Sequence, residues 1–366
     1  MTLSEPTRKF AFDFRMLSIL LLLAVVPLLV VTWWLFTNYQ NSYLERSGAN
    51  LAAAADMTLG HINSYLQHQI IETAAITEVP VLREVIKKGN ADLAGNLGQV
   101  RKAIPALAAR WRSLDAGSPE VTAILHNPAS DFLRRYASVH RSYRTVMVTD
   151  FLGRTVAANE KTTDYYQADK DWWKETYGDG RRGTVYIGDA GYDDSTGVYS
   201  MELAQPFLDP GGGVIGALKV VIDVQDIHSL IGSVRAADGA TAALIRAKGT
   251  VVSAPGYSGR DSRTFPGTLE LLTAREKGRR YFVGSETPPR VHGLAERSLQ
   301  ELYPHLNWIM TLSAPVQEIQ APLVELRRHL VVLVLVIVLL TVAAALLLSR
   351  VESAPVVPED PHLERL

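Results

Sequence analysis

Nine residues in the middle of the chain, Tyr165 to Trp173 ("YYQADKDWW"), set four aromatic rings among Asp169, Lys170 and Asp171. Rings at that density usually belong in a core and charges in water, so a stretch holding both invites a mixed pocket. A small zwitterion or amine needs a cation for its carboxylate, a carboxylate for its ammonium, and aromatic walls. The walls exclude water, and their faces attract cations directly. The stretch supplies everything except a well-placed acid. Asp223 can supply it, because it ends the run "VIGALKVVID", whose side chains alternate between the two faces of a strand. The competing readings are plainer: Trp172 and Trp173 as core residues of a helix packed on a sheet, and Asp223 as a turn-forming acid.

Elsewhere no catalytic constellation emerges. The nine histidines are scattered, and His61 and His68 stand too far apart for a metal pair on adjacent helical turns. "GYSGR" around Ser258 lacks the strand–G-x-S-x-G–helix context of a nucleophile elbow. Asp189, Asp193 and Asp194 could hold calcium, but "DAGYDD" lacks the alternating acids and closing Glu of an EF loop, so a solvated acidic loop is expected. Arg181 and Arg182 read as turn surface. "DPGGG" (Asp209 to Gly213) has no Gly-Lys-Ser/Thr ending and no helix after it, which leaves a hairpin turn. With no cysteine there is no disulfide framework, thiolate chemistry or cysteine-bound metal. A formal charge of -1 gives no electrostatic reason to expect nucleic acid. No cofactor and no enzymatic activity are expected.

The elements around these residues follow from periodicity. Gln40 to Ile76 lacks proline, and Leu59, Ile62, Leu66 and Ile70 recur at helical steps, with His61, Gln67 and His68 off the stripe. Residues 80 to 142 read as short helices broken at Pro80, Pro105, Pro119 and Pro128. "RTVMVTDFLGRTVAAN" (Arg144 to Asn159) is a hairpin signal, and Tyr199, Met201 and Leu203 alternate with Ser200 and Glu202 as in a half-buried strand. Val146 to Ala158 resembles Ala243 to Ala254, and each leads on to a related tetrapeptide, Val224 to Ile227 ("VQDI") or Val316 to Ile319 ("VQEI"). The separations, 78 residues from 146 to 224 and 73 from 243 to 316, predict two copies of one sheet module. Chance similarity between hairpins is the alternative.

Two uncharged apolar runs flank all of this. Met16 to Phe36 has 21 residues and Leu330 to Leu348 has 19, close to the ~20 that cross a bilayer as a helix. The first outlasts the apolar region of a cleavable signal peptide and ends in Trp33 and Trp34, suited to a membrane interface. Arg8, Lys9 and Arg15 place the N-terminus in the cytoplasm, although Arg327 and Arg328 beside the second run oppose that orientation. The expected layout is a cytoplasmic 1–15, a span at 16–36, an outside domain at 38–327, a span at 330–348, and a short cytoplasmic tail at 349–366. The tail holds Pro355, Pro358 and Pro361 and no apolar stripe, so it reads as disordered.

Residues 38 to 325 resemble the double Cache family of extracytoplasmic sensor domains, on "VTDFLGRTVAANEKTTDYYQADKDWW" and "VIGALKVVIDVQDI". The resemblance implies an α+β fold: a long membrane-emergent N-terminal helix, a distal PAS-like antiparallel sheet module at about 80–235, and a proximal one at about 236–320. It also implies a pocket of Tyr165, Lys170 in an arginine slot, Trp172, Trp173 in a tyrosine slot, Asp223 and, on a loop of variable length, Tyr192. Lysine lacks the planar two-pronged grip of arginine on a carboxylate. Pro315 stands before "VQEI" where Asp223 stands before "VQDI", which favours the distal module as the binding one. The function implied is a sensor in the bacterial inner membrane. It would bind a small amino acid, amine or carboxylate outside and signal through its helices to a separate kinase, phosphatase or chemotaxis component, usually as a homodimer. A binding module that regulates a membrane partner without signalling is the alternative.

Overall fold

The computed structural model describes residues 14–193, 197–234, 239–257 and 262–351. Arg8, Lys9, Asp194, Ser258 and the tail from residue 352, all named above, lie outside the described residues. The chain divides into a compact unit, Gly48–Val316, and a second unit made of its two ends, Met1–Ser47 with Gln317–Leu366.

Within the central unit, helix α1 (Phe14–Thr77) buries Leu59, Ile62, Leu66 and Ile76 and leaves His61, Gln67 and His68 exposed, as the stripe requires. Four shorter helices follow: α2 (Pro80–Ala94), α3 (Leu97–Trp111), α4 (Pro119–Leu125) and α5 (Pro128–Val139). Pro80, Pro119 and Pro128 each open a helix, where the missing N–H has no intrahelical partner to lose. Pro105 departs from expectation: α3 runs straight through it. Arg101, whose carbonyl thereby loses its donor, is exposed, so water can take the donor's place.

The first sheet contains β1 (Tyr143–Asp150), β2 (Thr155–Ala158), β3 (Tyr186–Ile187), β4 (Gly191–Asp193), β5 (Val198–Leu208) and β6 (Val214–Asp223). Its order is β2-β1-β6-β5-β3, with β4 also on β5, and every pairing is antiparallel. Helix α6 (Asp171–Tyr177) interrupts it before β3, and α7 (Gln225–Gly232) follows β6. The second sheet holds β7 (Thr241–Arg246), β8 (Val251–Ser253), β9 (Tyr281–Val283), β10 (Arg290–Leu294) and β11 (Trp308–Pro315), with α8 (Thr268–Glu276) before β9. Its order, β8-β7-β11-β10-β9, repeats that of the first sheet strand for strand. "VQDI" leads into α7 after β6, and "VQEI" opens helix α9 (Val316–Val351) after β11.

Alternation divides the faces. Val148, Leu218, Val220 and Leu203 are fully buried on the α1/α2 side, where Gln205 Nε2 donates to Ile70 O (2.9 Å). Met147, Ala204 and Ala217 face the other way, under α6. Between β5 and β6, Asp209 Oδ1 accepts the amides of Gly211 and Gly213 at 2.8 Å each, so "DPGGG" is a hairpin turn. In the second sheet, β10 meets α1 through glycine: a Cβ on Gly293 would lie 2.2 Å from Ala52 N. Conversely, a Cβ on Gly48 of α1 would lie 2.5 Å from the Tyr281 ring.

In the terminal unit, Pro27 is carried inside α1, and Leu22, Leu23, Trp33 and Trp34 are exposed. Among the described residues one helix is long and apolar enough to cross a membrane, α9 over Val316–Ala344.

Candidate functional site

The α6 face of the first sheet opens into a cleft of about 1070 Å³. Its floor is Thr145 and Met147 of β1, Lys219 and Val221 of β6, and Glu202 of β5, which is paired with Val221 in register. Residues 159 to 164, Gln167, residues 169 to 171, Trp172 of α6 and Tyr186 of β3 close its sides.

Both tryptophans are buried in one core cluster with Met147, Ala158, Ala204 and Ala217. Trp172 lines the cleft, with Lys219 Nζ 5.3 Å over its ring. Its indole Nε1 is buried and donates to no protein group among the described residues. Trp173 faces the core, donating from Nε1 to Thr149 Oγ1 (3.1 Å) and stacking on Tyr177 at 4.5 Å.

Lys170 sits at the N-terminal edge of α6 and lines the cleft. Its Nζ is 3.1 Å from Asp164 Oδ2 and 3.3 Å from Asp169 Oδ2. Burial works against its charge, but the two carboxylates outweigh burial and raise its pKa. The reverse holds at Asp164: burial favours the neutral acid, yet Lys170 and Arg112 hold the carboxyl below its usual range. On the floor, Lys219 Nζ is 2.5 Å from Glu202 Oε1. Burial, followed by Glu202 and Glu175, pushes the Tyr186 phenol up to about 12, so it stays a neutral donor at pH 7. The cleft therefore presents cationic and indole donors beside paired carboxylates, a surface matched to a small polar ion.

The other three expected residues lie elsewhere. Tyr165 is buried against Trp111, ring centres 5.4 Å apart, because its carbonyl accepts the Thr155 amide (3.0 Å) and hydroxyl (2.9 Å). That pairing turns the ring toward α3. Asp223 shares the face of Lys219 and Val221, as alternation requires. Its carboxylate accepts from Arg144 Nη2 (2.6 Å) and the Gln225 amide (2.9 Å), the strand-end role. Asp223 and Tyr192 line a second, smaller cavity of about 370 Å³. Lys219, Glu202 and Tyr186 were not expected. Lys219 was visible as a lone charge in an apolar run, two alternations before Asp223.

Contacts on the outer side of the cleft reach the second sheet. Glu175 of α6 lies 2.8 Å from His305 Nε2, and the Tyr186 and His305 rings are 4.9 Å apart. Asp189 accepts from Arg246 Nε (2.5 Å) and Trp308 Nε1 (2.7 Å). This end of the acidic loop is exposed, as expected, and also bridges the two sheets. Among the described residues no group of three or more His, Asp or Glu could hold a metal ion.

No protein-family model matches the chain, and no curated protein does. Solved structures resemble it. The ligand-binding domain of the Campylobacter jejuni chemoreceptor Tlp3 in complex with L-norvaline aligns at 14% identity over 76% of this chain and 94% of that one, with a TM-score of 0.48. The sensor domain of the V. cholerae histidine kinase DctB aligns at 12% identity over 75% and 98%, with a TM-score of 0.45. The ligand-binding domain of the Pseudomonas fluorescens chemoreceptor CtaA in complex with L-isoleucine aligns at 12% over 77% and 98%, with a TM-score of 0.44.

Proposed function

We propose that the chain is a membrane-anchored sensor of the double Cache type that binds a small amino acid, amine or carboxylate in the cleft under α6. The cleft carries this reading. Tyr143, Trp172 and Tyr186 give it aromatic surface, its cations include Lys170 and Lys219, and the buried Trp172 Nε1–H has no acceptor among the described residues. Of the residues expected from the sequence, Lys170 and Trp172 are assigned to the ligand, joined by Lys219 and Glu202. Arg144, a cleft residue tied to Asp223, gives that acid an indirect part.

The membrane reading rests on α9 and on the exposed apolar residues of α1. Two spans, at 16–36 and 330–348, hold residues 38–327 outside a bacterial inner membrane and hand the signal to a separate kinase, phosphatase or chemotaxis protein. The full chain in detergent, screened by thermal shift against amino acids, amines and carboxylates, tests the binding. A ligand at a hundred times its Kd adds about 2.7 kcal/mol of stability. The gain should disappear in Lys219→Met and shrink in Trp172→Phe, which keeps a ring but removes the N–H. A ligand whose effect survives both substitutions overturns the site. Signalling has its own test, since introduced cysteines are the only thiols in the chain. Pairs placed in Met16–Phe36 and Leu330–Leu348 should crosslink differently with ligand present. Unchanged crosslinking favours a binding module without signalling.

A further inference from the structure

Resting on the cleft as the ligand site, we propose that His305 and Tyr303 are positioning residues that couple the cleft wall to α1. The wall is made of elements too short to hold themselves. Helix α6 has seven residues and its N-cap, Lys170, makes no capping bond, while β3 has two residues at the edge of its sheet. Isolated helices under about 12 residues are marginal in water, so tertiary contacts must fix such a wall. On its inner side those contacts are the tryptophan cluster with Met147 and Ala217. On its outer side both elements meet His305. Glu175 Oε2 of α6 lies 2.8 Å from His305 Nε2, and the ring of Tyr186, itself a cleft residue, is 4.9 Å from the His305 ring.

His305 is held in turn from behind. Its neighbour Leu306 is fully buried and donates its amide to Tyr303 O (2.9 Å), and Asn307 O accepts the Ala247 amide (2.8 Å). Two residues before His305, the Tyr303 hydroxyl accepts from Gln67 Nε2 (2.8 Å) and donates to Asn63 Oδ1 (3.1 Å). Asn63 and Gln67 stand about one turn apart on α1, so the hydroxyl grips the helix at two points. The route from cleft to helix is therefore contiguous: Tyr186 and Glu175, His305, Tyr303, then α1. Coupling along it is reciprocal, so whatever orders the wall pulls on Tyr303, and loosening Tyr303 loosens the wall. The Glu175–His305 pair is well exposed on both sides, which makes the coupling modest and graded.

Hydrogen–deuterium exchange on the full chain in detergent, with no ligand added, tests the route. Tyr303→Phe keeps the ring and removes both bonds to α1. It should raise amide exchange in α6 and β3 by about two- to tenfold, the scale of a lost hydrogen bond. His305→Ala should do the same, and the double variant should add nothing further, because both act through one route. Thr241→Val is the control: it breaks hydroxyl contacts to Ser313 and Arg290 on the second sheet and should leave α6 and β3 unchanged. Unchanged α6 and β3 exchange in Tyr303→Phe, an equal rise in Thr241→Val, or additive effects in the double variant overturns the proposal. The outcome is independent of the ligand screen. Coupling without binding refutes the cleft as ligand site alone, and binding without coupling refutes the route alone.

Discussion

Asp150 offers the sharpest test of how the cleft is held. It is fully buried at the end of β1, and its Oδ1 accepts the amides of Leu152 (2.9 Å) and Arg154 (3.0 Å). Its Oδ2 accepts Arg154 Nε at 2.6 Å, and Arg154 Nη2 reaches on to Gly89 O of α2 at 3.2 Å. The same turn anchors the loop that carries Lys170: Gln167 N donates to Gly153 O at 2.8 Å, and Arg154 bridges to Tyr166. Asp150→Ala removes the acceptor of two amides and leaves the Arg154 guanidinium, whose side chain is 16% exposed, without its counterion. Breaking a buried pair from one side costs about 3–5 kcal/mol. At about 2 °C per kcal/mol for a unit of this size, the midpoint should fall by roughly 6–10 °C. Urea and thermal unfolding of the full chain in detergent would measure it. Asp150→Ala with Arg154→Met should recover part of the loss, because the uncompensated charge is gone. A single mutant that loses under about 1 kcal/mol, or a double mutant no more stable than the single, refutes the reasoning.

Three further outcomes follow from the packing and the titrations. Trp173→Phe removes the donor to Thr149 and part of the stack on Tyr177, and should cost about 1–2 kcal/mol in denaturation without altering ligand affinity. Gly216→Ala should be severely destabilising, since its Cβ would fall 2.2 Å from Thr149 O; a thermal midpoint within a degree of wild type would contradict this. Burial holds the His292 imidazole below its usual range, with Glu286 acting the other way. The folded state therefore favours the neutral ring, and its stability is complete above the unfolded value of about 6.5 and declines as pH falls below it. His292→Gln should flatten that decline in midpoint-versus-pH curves, and an unchanged slope would remove His292 as its source.

The sequence made the periodic features legible. The α1 stripe, the hairpins and the doubled sheet all repeat over enough residues for pattern to fix them, and Lys170 and Trp172, which the family resemblance implied, both line the cleft. What it could not reveal depends on contacts between distant residues. Trp172 and Trp173 are adjacent and both buried in the core, and only the docking of α6 also brings Trp172 to the cleft. Tyr165 turns toward α3 because Thr155 takes its carbonyl, ten residues back along the chain. Glu202 looked like the solvent side of a strand until the β5–β6 register set it beside Lys219. Asp189 looked like free loop, yet Arg246 and Trp308 meet it across 57 and 119 residues.

The two glycine contacts between α1 and the second sheet have a mechanical meaning. Gly48 yields to Tyr281, and Gly293 yields to the backbone at Leu51 and Ala52, about one helical turn farther along α1. Packed surfaces usually slide a little by changing side-chain rotamers. At these two points one partner has no side chain to change, so the helix is keyed to the sheet like a shaft with two teeth. One tooth alone would fix its depth and leave it free to turn; two, a turn apart, fix depth and angle together. A displacement of this part of α1 must take the second sheet with it.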